Sequence, residues 1–150
     1  MPSTEIDPRA MDAQAFARLI KRTPAGELDR VLHGDRRRAV LDELVRRMPS
    51  AFRADRGAAI NAVVHWRVGD RPDGGADCYE FVIAAGRCEL SSEPAHPPTL
   101  TLSLGAVDFV HLVTGNAQAV LLVMKGRLRA RGDLAQTAKL PHLFEVPRPG

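Results

Sequence analysis

The hydrophobic period of this chain changes near Pro49, and that change limits the fold more than any other feature. Upstream, "DRRRAVLDELVRRMPSAF" carries Val40, Leu41, Leu44, Val45 and Met48 at the 3.6-residue spacing of an amphipathic helix. Downstream, "AINAVVHWRV" places Ile60, Ala62, Val64, Trp66 and Val68 at every second position, the period of a strand with one apolar face. Such a chain makes helices first and a sheet second, then buries one against the other. Its 150 residues fit one domain able to bury about 70% of its unfolded surface.

The remaining segments follow the same logic. "DPRAMDAQAFARLIKR" predicts a helix with Asp7 as cap, Pro8 in the first position, and Met11, Ala15, Phe16, Leu19 and Ile20 on one stripe. "TPAGELDRVLHG" predicts a second, capped by Thr23 and stopped by Gly34, with Leu28, Val31 and Leu32 inward. In the third helix, Asp42–Arg46 and Glu43–Arg47 form four-residue ion pairs. Arg36, Arg37 and Arg38 oppose that helix's dipole, and nothing local explains them. Further strands are expected at 78–83, in "RCELSSE", in "TLTLSL" and in "RLRAR". Two short helices broken at Gly115-Asn116 separate the last two strands, and two more over "DLAQTAKLPHLF" close the chain.

Several functions are excluded by what the chain lacks. "DCYEFVIAAGRCEL" reads as a hairpin turning at Ala85-Gly86, with Ala84 opposite Arg87 and Ile83 opposite Cys88. Cys78 then lies about 16 Å further along and on the other face. A disulfide needs Cα atoms within about 7 Å, so two free thiols are expected. None of the five histidines pairs at a metal-ligand spacing, so no metal is expected. Asp108 and His111 lie one helical turn apart but no nucleophile motif accompanies them. They read as a capping carboxylate and a surface imidazole. The "GDRPDGG" glycines join two strands, whereas a phosphate loop joins a strand to a helix. His65, on the polar face of its strand, reads as solvated. No catalytic residues and no cofactor emerge.

The formal charge is only +3, but basic residues cluster at 36–38, 46–47 and 125–131. The first reading of these clusters is a solvated face; the second is contact with anionic membrane headgroups. Nucleic acid is not expected, because aromatic interleaving is sparse. No run approaches the roughly 20 apolar residues of a membrane span, and the first residues lack a secretory signal's apolar region. A cytoplasmic location is the resulting expectation.

What stands out is the greasy segment after the fourth strand. "AVDFVHLVTG" offers Val107, Phe109, Val110, Leu112 and Val113, while "AQAVLLVMKG" is apolar on every side. A helix of that kind is expected to be covered on several sides, as a core helix is.

Three features of "PPTLTLSLGAVDFVHLVTGNAQAVLLVMKGRLRARGDLAQTAKLPHLF" together resemble the sterol carrier protein 2 family. They are a Thr/Leu strand followed by a helix bearing Asp108-Phe109, "VTG" followed by a short apolar helix, and the run from Gly126 to Asp133 with its Leu/Phe ending. The likeness is clear over 94–144, rests on strand order over 35–93, and is absent over the first 25 or so residues. It implies an α+β fold: a five-stranded mixed, mostly antiparallel sheet covered on one face by helices. Residues 1–34 would be an N-terminal helical extension, and 35–150 the sterol-carrier-like domain. It further implies an apolar tunnel for a fatty acyl, sterol or isoprenoid lipid, bound or transferred without catalysis. The lining falls on Phe109, Val113, Val120, Met124, Leu134 and Leu140, with Phe144 in the closing segment and Trp66 contributed by the sheet. Two departures matter. The extra N-terminal helices would cover the tunnel or build a homodimer contact, and "AQAVLLVM" is more aliphatic than a Phe-bearing lining. The alternative is a non-catalytic interaction or dimerisation module whose core is simply full.

Overall fold

Five strands form one sheet in the order β3-β2-β1-β4-β5: β1 Ala62–Val68, β2 Asp77–Ala84, β3 Arg87–Ser91, β4 Leu100–Leu104 and β5 Leu128–Gly132. A computed structural model describes residues 6–91, 93–133, 135 and 139–149. Three neighbouring pairs run antiparallel, and β1 and β4 run parallel, giving the mixed sheet. The helices are α1 Ala13–Arg22, α2 Ala25–Leu32, α3 Arg37–Arg47, α4 Ala54–Gly57, α5 Ala106–Val113 and α6 Ala119–Met124.

Alternation decides the faces. Ala62, Val64, Trp66 and Val68 on β1, Tyr79, Phe81 and Ile83 on β2, and Leu100, Leu102 and Leu104 on β4 are all buried beneath the helices. The opposite face carries Val63, His65, Arg67, Thr101, Ser103, Arg129 and Arg131, in rows set by the register. The β2–β3 hairpin pairs Ala84 with Arg87 and Ile83 with Cys88, as the sequence predicts, while Cys78 sits opposite Arg67. Both thiols are free. Ala85 and Gly86 make the turn with φ of 53° and 74°, the positive-φ pair of a two-residue hairpin loop.

Phe16 and Ile20 of α1, Leu28, Val31 and Leu32 of α2, and Val40, Leu41, Leu44 and Val45 of α3 join the sheet's apolar face in one buried cluster. Local signals at the helix ends need correction. Asp7 caps only a 3-10 turn over Pro8–Ala10, and Asp12 caps α1 by accepting from the Ala15 N–H at 2.7 Å. The Thr23 hydroxyl does not cap α2 but donates back to the Leu19 carbonyl. Asp42 pairs with the Tyr79 hydroxyl at 2.9 Å instead of Arg46, and Arg46 turns to Glu43 at 2.6 Å. Glu43–Arg47 forms as expected at 2.8 Å. Arg47 also donates to the carbonyls of Pro8 and Met11, tying the N-terminal turn to α3.

Of the three arginines at the start of α3, Arg37 is not on a solvated face. It is buried, with Nε 3.0 Å from Asp77 Oδ2 and Nη2 donating to the carbonyls of Val68 and Gly69. A long-range requirement, fastening α3 to the end of the β1–β2 hairpin, overrides the dipole. The first of the two closing helices expected over 133–139 falls mostly outside the described residues; the second is a 3-10 turn, Leu140–His142.

Candidate functional site

The aromatic floor of the helix–sheet interface is built from β1 and α5. Trp66 and Phe109 meet edge-on, with ring centroids 5.5 Å apart and planes at 72°. Phe109 is fully buried and Trp66 is 4% exposed. The Trp66 indole nitrogen has no hydrogen-bond partner among the described residues. A donor left bare in an apolar interior costs about 1–3 kcal/mol, and folded proteins seldom retain one.

The closing segment forms the adjacent wall. Phe144 makes an isolated antiparallel bridge to Phe52, framed by Arg53 N–H to the Leu143 carbonyl at 2.6 Å and Glu145 N–H to the Ala51 carbonyl at 2.7 Å. Its ring stands 5.6 Å from Phe52 and 6.1 Å from Phe81. Leu140 and Leu143 are buried in the same cluster. The tail then crosses Gly115, whose φ is +79°; a Cβ there would fall 2.0 Å from the Pro147 carbonyl oxygen. The Gln14 side chain receives the Arg148 N–H at 3.2 Å and donates to the Arg148 carbonyl, pinning the tail to α1.

α6 departs from expectation. A helix apolar on every side was to be covered, yet Val120, Leu121, Val123 and Met124 are 65, 48, 45 and 77% exposed. At about 100° per residue these four span an arc of about 160°, with Leu122 opposite. Leu122 is the one residue of α6 that is buried. The helix is a six-residue stub beside the edge strand β5, so it has one neighbour to pack on and one side to hide. Of the eight residues the resemblance singled out, Trp66, Phe109 and Leu140 are therefore buried in the core, and Val113 and Phe144 pack against it half-buried. Val120 and Met124 stand on the outward arc, and Leu134 lies outside the described residues. Ala130 and Leu128 turn towards the helices from β5. Open hollows on the described surface include one of about 440 Å³ at the β2–β3 turn and one of about 340 Å³ between the starts of α2 and α5. None of the seven described residues among the eight lines either.

The polar groups organise around ion pairs. Asp108 is not a cap: Gly105 holds that position, and Asp108 is buried against Arg127, with contacts of 3.0 Å and 2.9 Å. The cap is supplied from the β1–β2 connection, where Asp70 accepts from the Ala106 N–H at 3.3 Å. His111 is half-buried, and burial holds its pKa below the ordinary value, Arg127 adding to and Asp108 opposing that shift.

His65 is not simply solvated either. Its Nε2 lies 3.0 Å from Oε2 of Glu80, a carboxylate only 1% exposed, and His96 Nδ1 lies 3.0 Å from Oε1. The N–H groups of Ala95 and His96 also donate to Oε2. Burial pushes the Glu80 carboxyl up, but the bonds from His96, His65 and the two backbone donors outweigh it and hold it at about 2. The cluster fastens the β3–β4 loop over the open sheet face. Sequence reasoning missed it because its members are separated by a strand turn and a loop. Among the described residues no group of three His, Cys, Asp or Glu side chains is placed to hold a metal. No described helix is long and apolar enough to cross a membrane.

The fold has known relatives. The apo form of sterol carrier protein 2 from Yarrowia lipolytica superposes with a TM-score of 0.55 at 19% identity, over 70% of this chain and 87% of that one. Sterol carrier protein 2 like 2 from Aedes aegypti gives 0.53 at 13%, over 69% of this chain and 92% of its own. The stereoselective inverting sec-alkylsulfatase Pisa1 from Pseudomonas sp. gives 0.61 at 10% and takes in 99% of this chain, which spans 27% of that protein. At such identities the likeness shows the fold. No curated protein matches the chain. The model of the SCP-2 sterol transfer family matches residues 41–145, well over half the sequence, and the protein belongs to that family.

Proposed function

We propose that the chain binds or transfers a hydrophobic ligand, a fatty acyl, sterol or isoprenoid lipid, between the sheet and the C-terminal helices, without catalysing a reaction. The observation that carries this reading is the indole N–H of Trp66, buried without a described partner in the apolar cluster beside Phe109. It supplies one directional contact for the oxygen of an otherwise greasy molecule, as ligand sites in apolar pockets do. Phe109, Val113, Leu140 and Phe144 are the walls of this proposed chamber, with Leu134 completing the closing side. Residues 1–34 act as a cover over the helix layer of the domain formed by 35–150. Burying about 15 methylenes contributes roughly 12 kcal/mol, and association costs of about 4–15 kcal/mol reduce that to micromolar affinity.

Trp66 is the chain's single tryptophan, so its fluorescence reports on the site directly. Organic extraction and mass spectrometry of freshly purified protein should yield lipid. Oleic acid should shift the emission of the delipidated protein and raise its melting temperature. Trp66→Phe should weaken oleate about 5–20-fold, the size of one lost hydrogen bond, while leaving a plain alkane unaffected. Absence of lipid in the extract together with no thermal shift from any lipid class would overturn the proposal. A second reading, a non-catalytic interaction or dimerisation module with a filled core, is favoured by the full burial of Phe109 and Val110 and by hollows that lie elsewhere. It predicts that negative result.

A further inference from the structure

We infer that α6 is a docking element for anionic bilayer surfaces, entering the interface with Val120, Leu121, Val123 and Met124 while the cations that follow it meet the headgroups. Of the five large hydrophobic side chains exposed among the described residues, four sit on this one helix. Scattered exposed aliphatics are ordinary, but a concentration of this kind marks a contact surface. The chain running through it carries charge of one sign. No acidic residue occurs between Asp108 and Asp133, whereas Lys125, Arg127, Arg129 and Arg131 all do. All four are exposed, and only Arg127 is engaged by a described carboxylate, Asp108. Lys125 ends α6, and Arg129 and Arg131 stand on the open face of β5, the edge strand beside it, so an edge-on approach presents an aliphatic wedge together with unneutralised cations, the two signals that stable but reversible attachment to a membrane requires.

The same features argue against a second copy of the chain. A two-fold contact apposes each patch with itself, which would bring the cations of one copy against those of the other. The helix is six residues, about 9 Å long, and offers far less than the roughly 800 Å² per partner of a stable interface. The inference is independent of the carrier reading, since a protein with a filled core would present the same surface.

Flotation of the intact chain with vesicles tests it. The chain should float with phosphatidylcholine mixed with phosphatidylglycerol, float much less with phosphatidylcholine alone, and detach as salt is raised. Val120→Asp with Met124→Asp should lower partitioning at least about tenfold with an unchanged melting temperature, since both positions are solvent-exposed. Lys125→Glu with Arg131→Glu should lower it similarly and abolish the salt dependence. If the aspartate pair impairs folding, Val120→Ser with Met124→Ser asks the same question without added charge. Failure of the wild-type chain to float, equal flotation with both vesicle types, or undiminished binding by a folded variant would each overturn the proposal. So would a chain that sediments as a dimer and becomes monomeric with the α6 substitutions. Bound lipid in the extract without flotation would leave the carrier reading intact and remove this one.

Discussion

Arg37 and Asp77 meet with Nε and Oδ2 3.0 Å apart at the joint between α3 and the β1–β2 hairpin, and the same guanidinium donates to two strand-end carbonyls. Both side chains are largely withdrawn from water. Removing one partner of such a pair strands the other. Arg37→Leu is expected to lower stability by about 3 kcal/mol, read from the urea midpoint. Arg37→Lys should recover less than half, because an ammonium cannot present the planar fork that reaches Asp77 and the carbonyls together.

Glu80 makes stability depend on acid. Its folded carboxyl titrates at about 2, against 4.5 for the free side chain. A depressed carboxylate contributes stability that is complete above the unfolded value and is lost as pH falls through the folded one. Wild-type protein should therefore lose melting temperature between pH 4.5 and about 2, and Glu80→Gln should flatten that part of the curve while lowering stability at neutral pH. Parallel curves for the two proteins would show that the carboxylate is not responsible.

Ala85 occupies a left-handed conformation, with φ of 53°, in the β2–β3 turn. A Cβ there is unfavourable by about 1–2 kcal/mol, and asparagine tolerates the region better. Ala85→Asn creates the Asn-Gly pair that such turns favour and should raise stability by about 0.5–1 kcal/mol, measured by thermal denaturation.

Gly115 admits the tail. With a Cβ only 2.0 Å from the Pro147 oxygen, Gly115→Ala must displace the strap and also pay for its positive φ. A loss of about 2 kcal/mol or more is expected. Hydrogen exchange should localise the loosening to residues 143–149 and the N-terminal half of α1, where Gln14 grips Arg148.

Periodicity carried most of the architecture. The alternation in 62–68 and 100–104 identified the buried sheet face residue by residue, and the β2–β3 register followed from a single turn. α4 and the split at Pro8–Ala10 were not legible, since each is one turn held by distant partners: Arg56 of α4 donates to the His142 carbonyl, and Arg47 grips Pro8 and Met11. The candidate site was half legible. The resemblance singled out Phe109, Leu140 and Phe144, but an all-apolar helix has no sequence signal for which side turns inward, so Leu122 was not distinguished from its neighbours and Val120 and Met124 were expected inside. Nor can a sequence reveal that Trp66 lacks an acceptor, or that Glu80 gathers two histidines from different elements.

The cap of α5 has one more implication. The helix starts on Gly105, which has no side chain to cap with, and the missing acceptor is Asp70, delivered from a connection that only exists once β1 and β2 are in place. A Cβ on Gly105 would meet Asp70 Oδ2 at 2.5 Å, so the glycine is what lets the carboxylate arrive. An isolated peptide of residues 105–115 lacks its start signal, so the first turn of α5 is expected to depend on the hairpin that brings Asp70 to it.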